Sequence, residues 1–116
     1  MGKPLEAMQR YDTLLKQFPT SPSVPDALFA KGFLQGANYS KQYAEAVATM
    51  QKIVKAYPQS PRAAEGLWYG AFWLAYGQHE PDKAKAVLEE LRALPPSPYH
   101  RLIDAEITKY GRLSKS

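Results

Sequence analysis

The prolines decide what this chain can fold into. There are ten of them in 116 residues, and a proline inside a helix removes a backbone donor and clashes with the preceding turn. They are not scattered. They fall at Pro4, at Pro19, Pro22 and Pro25, at Pro58 and Pro61, at Pro81, and at Pro95, Pro96 and Pro98. The stretches between them are proline-free and carry apolar residues at helical spacing, so proline acts as punctuation between helices. Three junctions share one form: Phe18-Pro19-Thr20-Ser21-Pro22, Tyr57-Pro58-Gln59-Ser60-Pro61 and the shortened Leu94-Pro95-Pro96-Ser97-Pro98. The first proline disfavours helix at the residue before it. The serine can accept a bond from the free amides of the next helix. The second proline suits a first helical position, where no amide is needed. One short motif therefore ends one helix and starts the next.

The chain also repeats itself. A shift of 39 lays Ala7–Gly36 on Ala46–Ala75, with seven identities in thirty positions: Ala7/Ala46, Lys16/Lys55, Pro19/Pro58, Ser21/Ser60, Pro22/Pro61, Leu28/Leu67 and Phe33/Phe72. Leu14/Ile53, Leu15/Val54, Phe18/Tyr57, Asp26/Glu65 and Phe29/Trp68 keep their character. Ala7, Tyr11, Leu14, Leu15 and Phe18 form one helical stripe; Ala46, Met50, Ile53, Val54 and Tyr57 repeat it, and Ala84, Leu88 and Leu91 continue it shifted by one residue. Such stripes bury one side of a helix, and self-similarity at this period is the mark of stacked repeats. Six helices are expected, at about 4–18, 22–37, 41–57, 61–77, 81–94 and 98–112, with turns within pairs at Asn38–Lys41 and Gly77–Glu80. The expected fold is all-α, in one domain over residues 1–116. It comprises a half repeat at 4–18, repeats at 22–57 and 61–94, and a closing helix at 98–112 whose apolar side is Leu102, Ile103, Ile107 and Tyr110.

Composition narrows the function classes. The chain has no cysteine, which excludes a disulfide scaffold, a thiol nucleophile and cysteine-ligated metal. Its longest apolar stretch, Leu67–Tyr76, is ten residues with a glycine inside, well short of the ~20 that span a bilayer. Met1-Gly2-Lys3-Pro4 is not followed by an apolar signal core; an exported protein would have lost its signal before this sequence starts. A net charge of +4 is mildly basic. Arg101, Lys109, Arg112 and Lys115 could meet an anionic surface or nucleic acid, but they are not interleaved with exposed aromatics, so a solvated tail is the simpler reading.

Helix pairs with a small residue in the first helix (Gly32, Ala71), an alanine in the second (Ala46, Ala84) and a closing proline (Pro58) resemble tetratricopeptide repeats, over about residues 5–95. The wording from Ala7 to Phe29 is similar to a subset in bacterial cell-envelope proteins, the outer-membrane assembly lipoprotein and the Tol–Pal coordinator. The spacing departs from that family's 34 residues, and the position that usually holds an aromatic or leucine late in the first helix is Gln35 in one unit and Leu74 in the other. The resemblance implies antiparallel pairs stacked as a short right-handed solenoid. It also implies a concave surface lined by first helices, with Asp26, Phe29 and Phe33 in one unit and Glu65, Trp68, Phe72 and Tyr76 in the next. A periplasmic or envelope location follows from the subset alone.

The residues themselves agree in part. Trp68, Phe72 and Tyr76 form one stripe, and Tyr69 and Trp73 a neighbouring one. Both stripes could be core. Five large rings crowd a small layer, however, so the expectation divides them: Tyr69 and Trp73 between helices, Trp68 and Phe72 lining a groove. Gly66 and Gly70 make room either for another chain or, more simply, for a neighbouring helix. Gly77 is expected to end its helix in the left-handed conformation at C′. Lys31 and Asn38 do not have the spacing of a carboxylate clamp. His79 and His100 are isolated, Glu89-Glu90 point in different directions, and no phosphate loop or nucleophile elbow is present. Catalytic residues, metal and cofactors are therefore not expected. Three functions are consistent: a non-catalytic module binding a protein or peptide through its aromatic groove, a self-assembling segment of a longer array or homo-oligomer, and a weak binder of anionic surfaces. No small-molecule substrate is indicated.

Overall fold

The structure is a computed structural model, and it describes residues 9–10, 13, 16–17, 24–36 and 42–114. The described residues are helical throughout apart from turns. Helix α1 is Val24–Gly36, α2 is Tyr43–Ala56 and α3 is Pro61–Phe72, which runs on into a π turn at Trp73–Gly77. Helix α4 is Pro81–Arg92, and a 3-10 turn at His100–Leu102 leads into α5, Ile103–Ser114. Five α-helices thus stand among the described residues where six were expected. Of the first expected helix, Gln9, Arg10, Thr13, Lys16 and Gln17 are described, and they are helical and exposed. They are the polar positions between the expected apolar ones, and the rest of that helix lies outside the described residues.

Each helix packs mainly on its neighbours in the chain, and α1 also meets α3. The molecule measures 44 × 34 × 17 Å, a slab about two helix diameters thick. The core runs along its middle: Leu28, Ala46, Met50, Ile53, Ala63, Leu67, Ala71, Leu74, Ala84, Leu88, Leu91, Ile103 and Tyr110 are buried. The stripes read from sequence supply most of this set.

The proline junctions act as expected once and differently once. At Ser60-Pro61 the serine Oγ accepts the Arg62 amide at 3.2 Å and Pro61 opens α3. At Ser97-Pro98 the helix was expected to begin at once, but α5 begins at Ile103. His100 explains the delay. Its Nδ1 accepts the Ser97 amide at 3.1 Å and meets the Ser97 hydroxyl at 2.8 Å. The remaining ring proton, on Nε2, then donates to the Leu94 carbonyl at 3.1 Å. The clip winds this segment tighter than an α-helix and leaves Leu102 exposed, not on the apolar side of α5.

The end of α3 also departs from expectation. No described glycine has positive φ, and the left-handed residue is His79, at φ 58°. The helix widens before it stops: the Gln78 amide donates to the Trp73 carbonyl at 3.0 Å and the Glu80 amide to the Leu74 carbonyl at 2.8 Å. Gly77 serves close packing instead. A Cβ there would lie 2.8 Å from the ring of Tyr43, which seats the start of α2 against this turn.

Gly32 and Gly66 make room for the neighbouring helix. A Cβ on Gly32 would lie 2.9 Å from Met50 Cε, and one on Gly66 would lie 2.9 Å from Met50 Sδ. Met50 of α2, fully buried, is thus held between glycines of α1 and α3. Gly70 is different, since a Cβ there would meet only Val47 Cγ2, at 4.0 Å. Glycine inside a helix costs roughly 0.5–1 kcal/mol relative to alanine. Gly70→Ala is therefore expected to raise stability by about that amount in urea titration, and a lower midpoint would show a crowding that the geometry lacks.

One buried pair is polar. The Thr49 hydroxyl lies 2.7 Å from Gln35 Oε1 and 2.9 Å from the Glu45 carbonyl, and Gln35 and Thr49 are both buried. At the shift of 39 Gln35 matches Leu74, and with the stripe of α4 shifted by one residue Thr49 matches Val87; both are buried. The two units fill these positions in two ways, one with a hydrogen-bonded pair and one with a leucine and a valine.

Candidate protein-binding face

Helix α1 meets α3, and α3 with its π turn meets the segment around α5 through Trp68–Tyr99 and Tyr76–Tyr110. Asp26, Phe29 and Phe33 lie at i, i+3 and i+7 of α1; Glu65, Trp68, Phe72 and Tyr76 repeat that spacing along α3 and its π turn. Within each helix these residues share one stripe.

The two aromatic stripes of α3 separate. Tyr69 and Trp73 turn toward α1: ring centroids are 5.5 Å apart for Phe33–Tyr69, 6.2 Å for Phe33–Trp73 and 6.0 Å for Phe29–Tyr69. Trp68 and Tyr76 turn toward the segment containing α5: Trp68–Tyr99 are 5.4 Å apart and Tyr76–Tyr110 5.9 Å. Phe72, 5.0 Å from Tyr76, lies between these contacts and is 49% exposed. Trp73 is buried, while Tyr69 and Trp68 are half-buried against the core. Trp68 thus spends much of its surface on Tyr99, which leaves less of it for a groove.

Asp26 and Glu65 do not stand alone. Arg62 Nε donates to Asp26 at 2.8 Å and Arg62 Nη1 to Glu65 at 2.6 Å, with the guanidinium 4.7 Å from the centre of the Phe29 ring. The bonds to Asp26 and then Glu65 raise the Arg62 pKa above its ordinary value. Glu65 also accepts the Tyr99 hydroxyl at 3.3 Å. Burial, followed by the charge of Glu65, pushes the Tyr99 phenol up. Arg62 thus meets both carboxylates of the implied concave surface and ties α1 to α3. Exposed pairs of this kind contribute little stability, about 0–1 kcal/mol; what they fix is the separation of the helices.

Among the described residues the large exposed hydrophobics are Phe33, Phe72, Tyr76, Leu102 and Leu113. None of them is on α2 or α4. Phe33, Phe72 and Tyr76 were expected at the site; Leu102 and Leu113 were not. Leu102 reads as core from its helical spacing and is turned out by the 3-10 turn. Arg62 was legible as an i,i+3 partner of Glu65, but its bond to Asp26, 36 residues away, depends on tertiary packing.

Lys109 lies 3.8 Å from Glu106, Arg101 and Arg112 are exposed, and Lys115 lies outside the described residues. Asn38 is also outside them. No described helix is long and apolar enough to cross a membrane.

A family model described as tetratricopeptide repeat matches residues 26–60. That span is most of α1, all of α2 and the turn that leads to α3. The match supports a TPR-like repeat over that span, and repeats of that family generally mediate protein–protein interaction. No curated protein matches the chain.

Proposed function

We propose that this chain is a non-catalytic interaction module, a short right-handed solenoid that binds a protein or peptide on the concave face formed by α1, α3 and α5. One observation carries the reading. Phe33 and Phe72 occupy the same position in the two units, are identical, and are 44% and 49% exposed. Core packing accounts for a shared buried Leu28 and Leu67, and helix capping for a shared serine-proline pair. Neither accounts for a phenylalanine repeated on the surface, where aromatic anchors commonly carry binding energy. Asp26, Phe29, Glu65 and Trp68 shape the floor and hold its helices apart, and Phe33, Phe72 and Tyr76 make contact. The cell-envelope compartment is part of this proposal and rests on the wording of Ala7 to Phe29.

Self-stacking through α5 is less well supported. Its exposed residues Asp104, Ala105, Thr108, Lys109, Arg112, Leu113 and Ser114 are mostly polar, with Leu113 the one large apolar group among them for a further repeat to cover.

The test is quantitative cross-linking pull-down from separate envelope and cytosolic fractions, with wild type beside Phe33→Ala/Phe72→Ala. Phe33 touches Phe29, Tyr69 and Trp73, and aromatic pairs contribute about 0.5–1.5 kcal/mol each, so the variant is expected to melt somewhat lower, to stay folded at the temperature of the pull-down, and to lose its partner. The fraction that supplies the partner assigns the compartment. An unchanged partner list from a folded variant overturns the reading.

A further inference from the structure

The proline junctions at Pro58–Pro61 and Pro95–Pro98 also line a cavity. Pro58 and Pro61 of one and Pro95 and Pro98 of the other wall it together with Glu65 and Tyr99, and its volume is about 380 Å³. That lies within the roughly 300–1,000 Å³ of small-ligand sites, so a long side chain and its head group fit. The walls are fixed by local bonds. Each proline sets its own φ. The Ser60 amide donates to the Tyr57 carbonyl at 3.0 Å, and Ser60 Oγ accepts the Arg62 amide. In the other junction His100 holds Ser97 and Leu94. Walls fixed beforehand lose less freedom on binding.

Glu65 is the one charged residue among the described residues that line the cavity. Its Oε1 accepts Arg62 at 2.6 Å. Its Oε2 is met by the Tyr99 hydroxyl at 3.3 Å, longer than the ~2.5–3.0 Å of a good O–H···O bond, and keeps capacity for a further donor. Arg62 does not cancel the charge, because Asp26 and Glu65 share it. The Tyr99 phenol registers the result: burial raises it first, and the charge of Glu65 then raises it by more than Arg62 lowers it. An anion would find no matching donors in the first turn of α3. Pro61 has no amide, the Arg62 amide bonds Ser60 Oγ, and the Ala63 amide bonds the Ser60 carbonyl at 3.0 Å.

We infer that this cavity takes a basic side chain, arginine or lysine, of the protein partner, with its methylenes against the proline rings and its cation on Glu65 Oε2. The inference rests on the proposed protein-binding function and names the chemistry of one partner residue. Basic side chains lay their stems along apolar surface while the head finds its own partner, and a charge-assisted bond to a carboxylate is about twice as strong as a neutral one. Tyr99 joins the cavity to the aromatic face, since its ring lies 5.4 Å from that of Trp68.

The probe is N-acetyl-argininamide, titrated into the isotopically labelled full chain and followed by amide chemical shifts. N-acetyl-citrullinamide, its uncharged isostere, is the control at matched ionic strength. Saturable shifts centred on Ala64, Glu65, Ser97 and Tyr99 are expected with the arginine probe. The citrulline probe is expected to bind about tenfold or more weaker, the loss of a charge-assisted bond. Glu65→Gln should remove that difference. Arg62→Gln, which takes away the competing cation, should tighten arginine binding. If both variants weaken it, the ion pairs only hold the cavity wall and the inference is overturned. Equal response to the two probes, no saturable response, or an unchanged difference in Glu65→Gln overturns it as well. Phe33→Ala/Phe72→Ala is expected to leave this probe's shifts in place. Partner capture that depends on Phe33 and Phe72 while the cavity stays silent would leave the face standing and remove only the basic residue.

Discussion

Trp73→Ala is expected to lower stability by about 3–5 kcal/mol, the usual range for a buried tryptophan. Trp73 is 6% exposed, rests on Phe33 and Tyr69, and covers Gly36 at the end of α1. A Cβ on Gly36 would fall inside the van der Waals envelope of the indole, against three atoms of its rigid ring. Gly36→Ala alone is therefore expected to cost about 1–3 kcal/mol through overpacking. Together the changes should not add. Without the indole, the alanine meets no ring and gains the helix preference that glycine lacks. Chemical denaturation of all four combinations measures this directly, and additive losses would show that Gly36 and Trp73 do not share the contact. The prediction separates the two stripes of α3 by their energetics: Trp73 holds α1, while Phe72→Ala should leave stability nearly unchanged.

The second large effect concerns Gln35 and Thr49. Thr49→Val keeps the shape of the side chain and removes the hydroxyl, leaving the Gln35 amide buried without its 2.7 Å partner. An unsatisfied buried group of this kind costs about 1–3 kcal/mol. Gln35→Leu alone is expected to cost less, because Thr49 keeps the Glu45 carbonyl at 2.9 Å. The double variant Gln35→Leu/Thr49→Val carries the Leu74 and Val87 residues of the second unit. It is expected to recover most or all of the Thr49→Val loss, since replacing both partners by apolar groups can be nearly neutral. A double variant less stable than Thr49→Val would mean that the two units differ in helix spacing, and not only in the chemistry of this pair.

How much of this was legible depended on the range of the interaction. Ser60-Pro61 was readable because a cap is made within two residues of itself. The stripe of Ala46, Met50 and Ile53 was readable because a helix places those positions on one side whatever lies opposite. Gln35 was visible as a departure from the family pattern, but its partner Thr49 was not, since nothing local ties residue 35 to residue 49. Gly77 looked like a helix stop by composition, and the left-handed residue proved to be His79. The ring of Tyr43, brought in from α2, gives Gly77 its packing role instead.

The site divides in the same way. The sequence by itself determined the all-helical class, the punctuation at Ser60-Pro61, and the stripes that Asp26, Phe29 and Phe33 form on one helix and Glu65, Trp68, Phe72 and Tyr76 on another, because these follow from helical periodicity and local backbone chemistry. It could not determine which rings stay in water. That depended on how far each neighbouring helix reaches: Trp73 is covered by α1, Trp68 by Tyr99, and Phe72 and Phe33 are left half-open. Nor could it show that Arg62 claims both carboxylates, or that a histidine clip turns Leu102 outward. Exposure and ion pairing are set by groups that approach from other helices, and only the tertiary structure decided which groups those are.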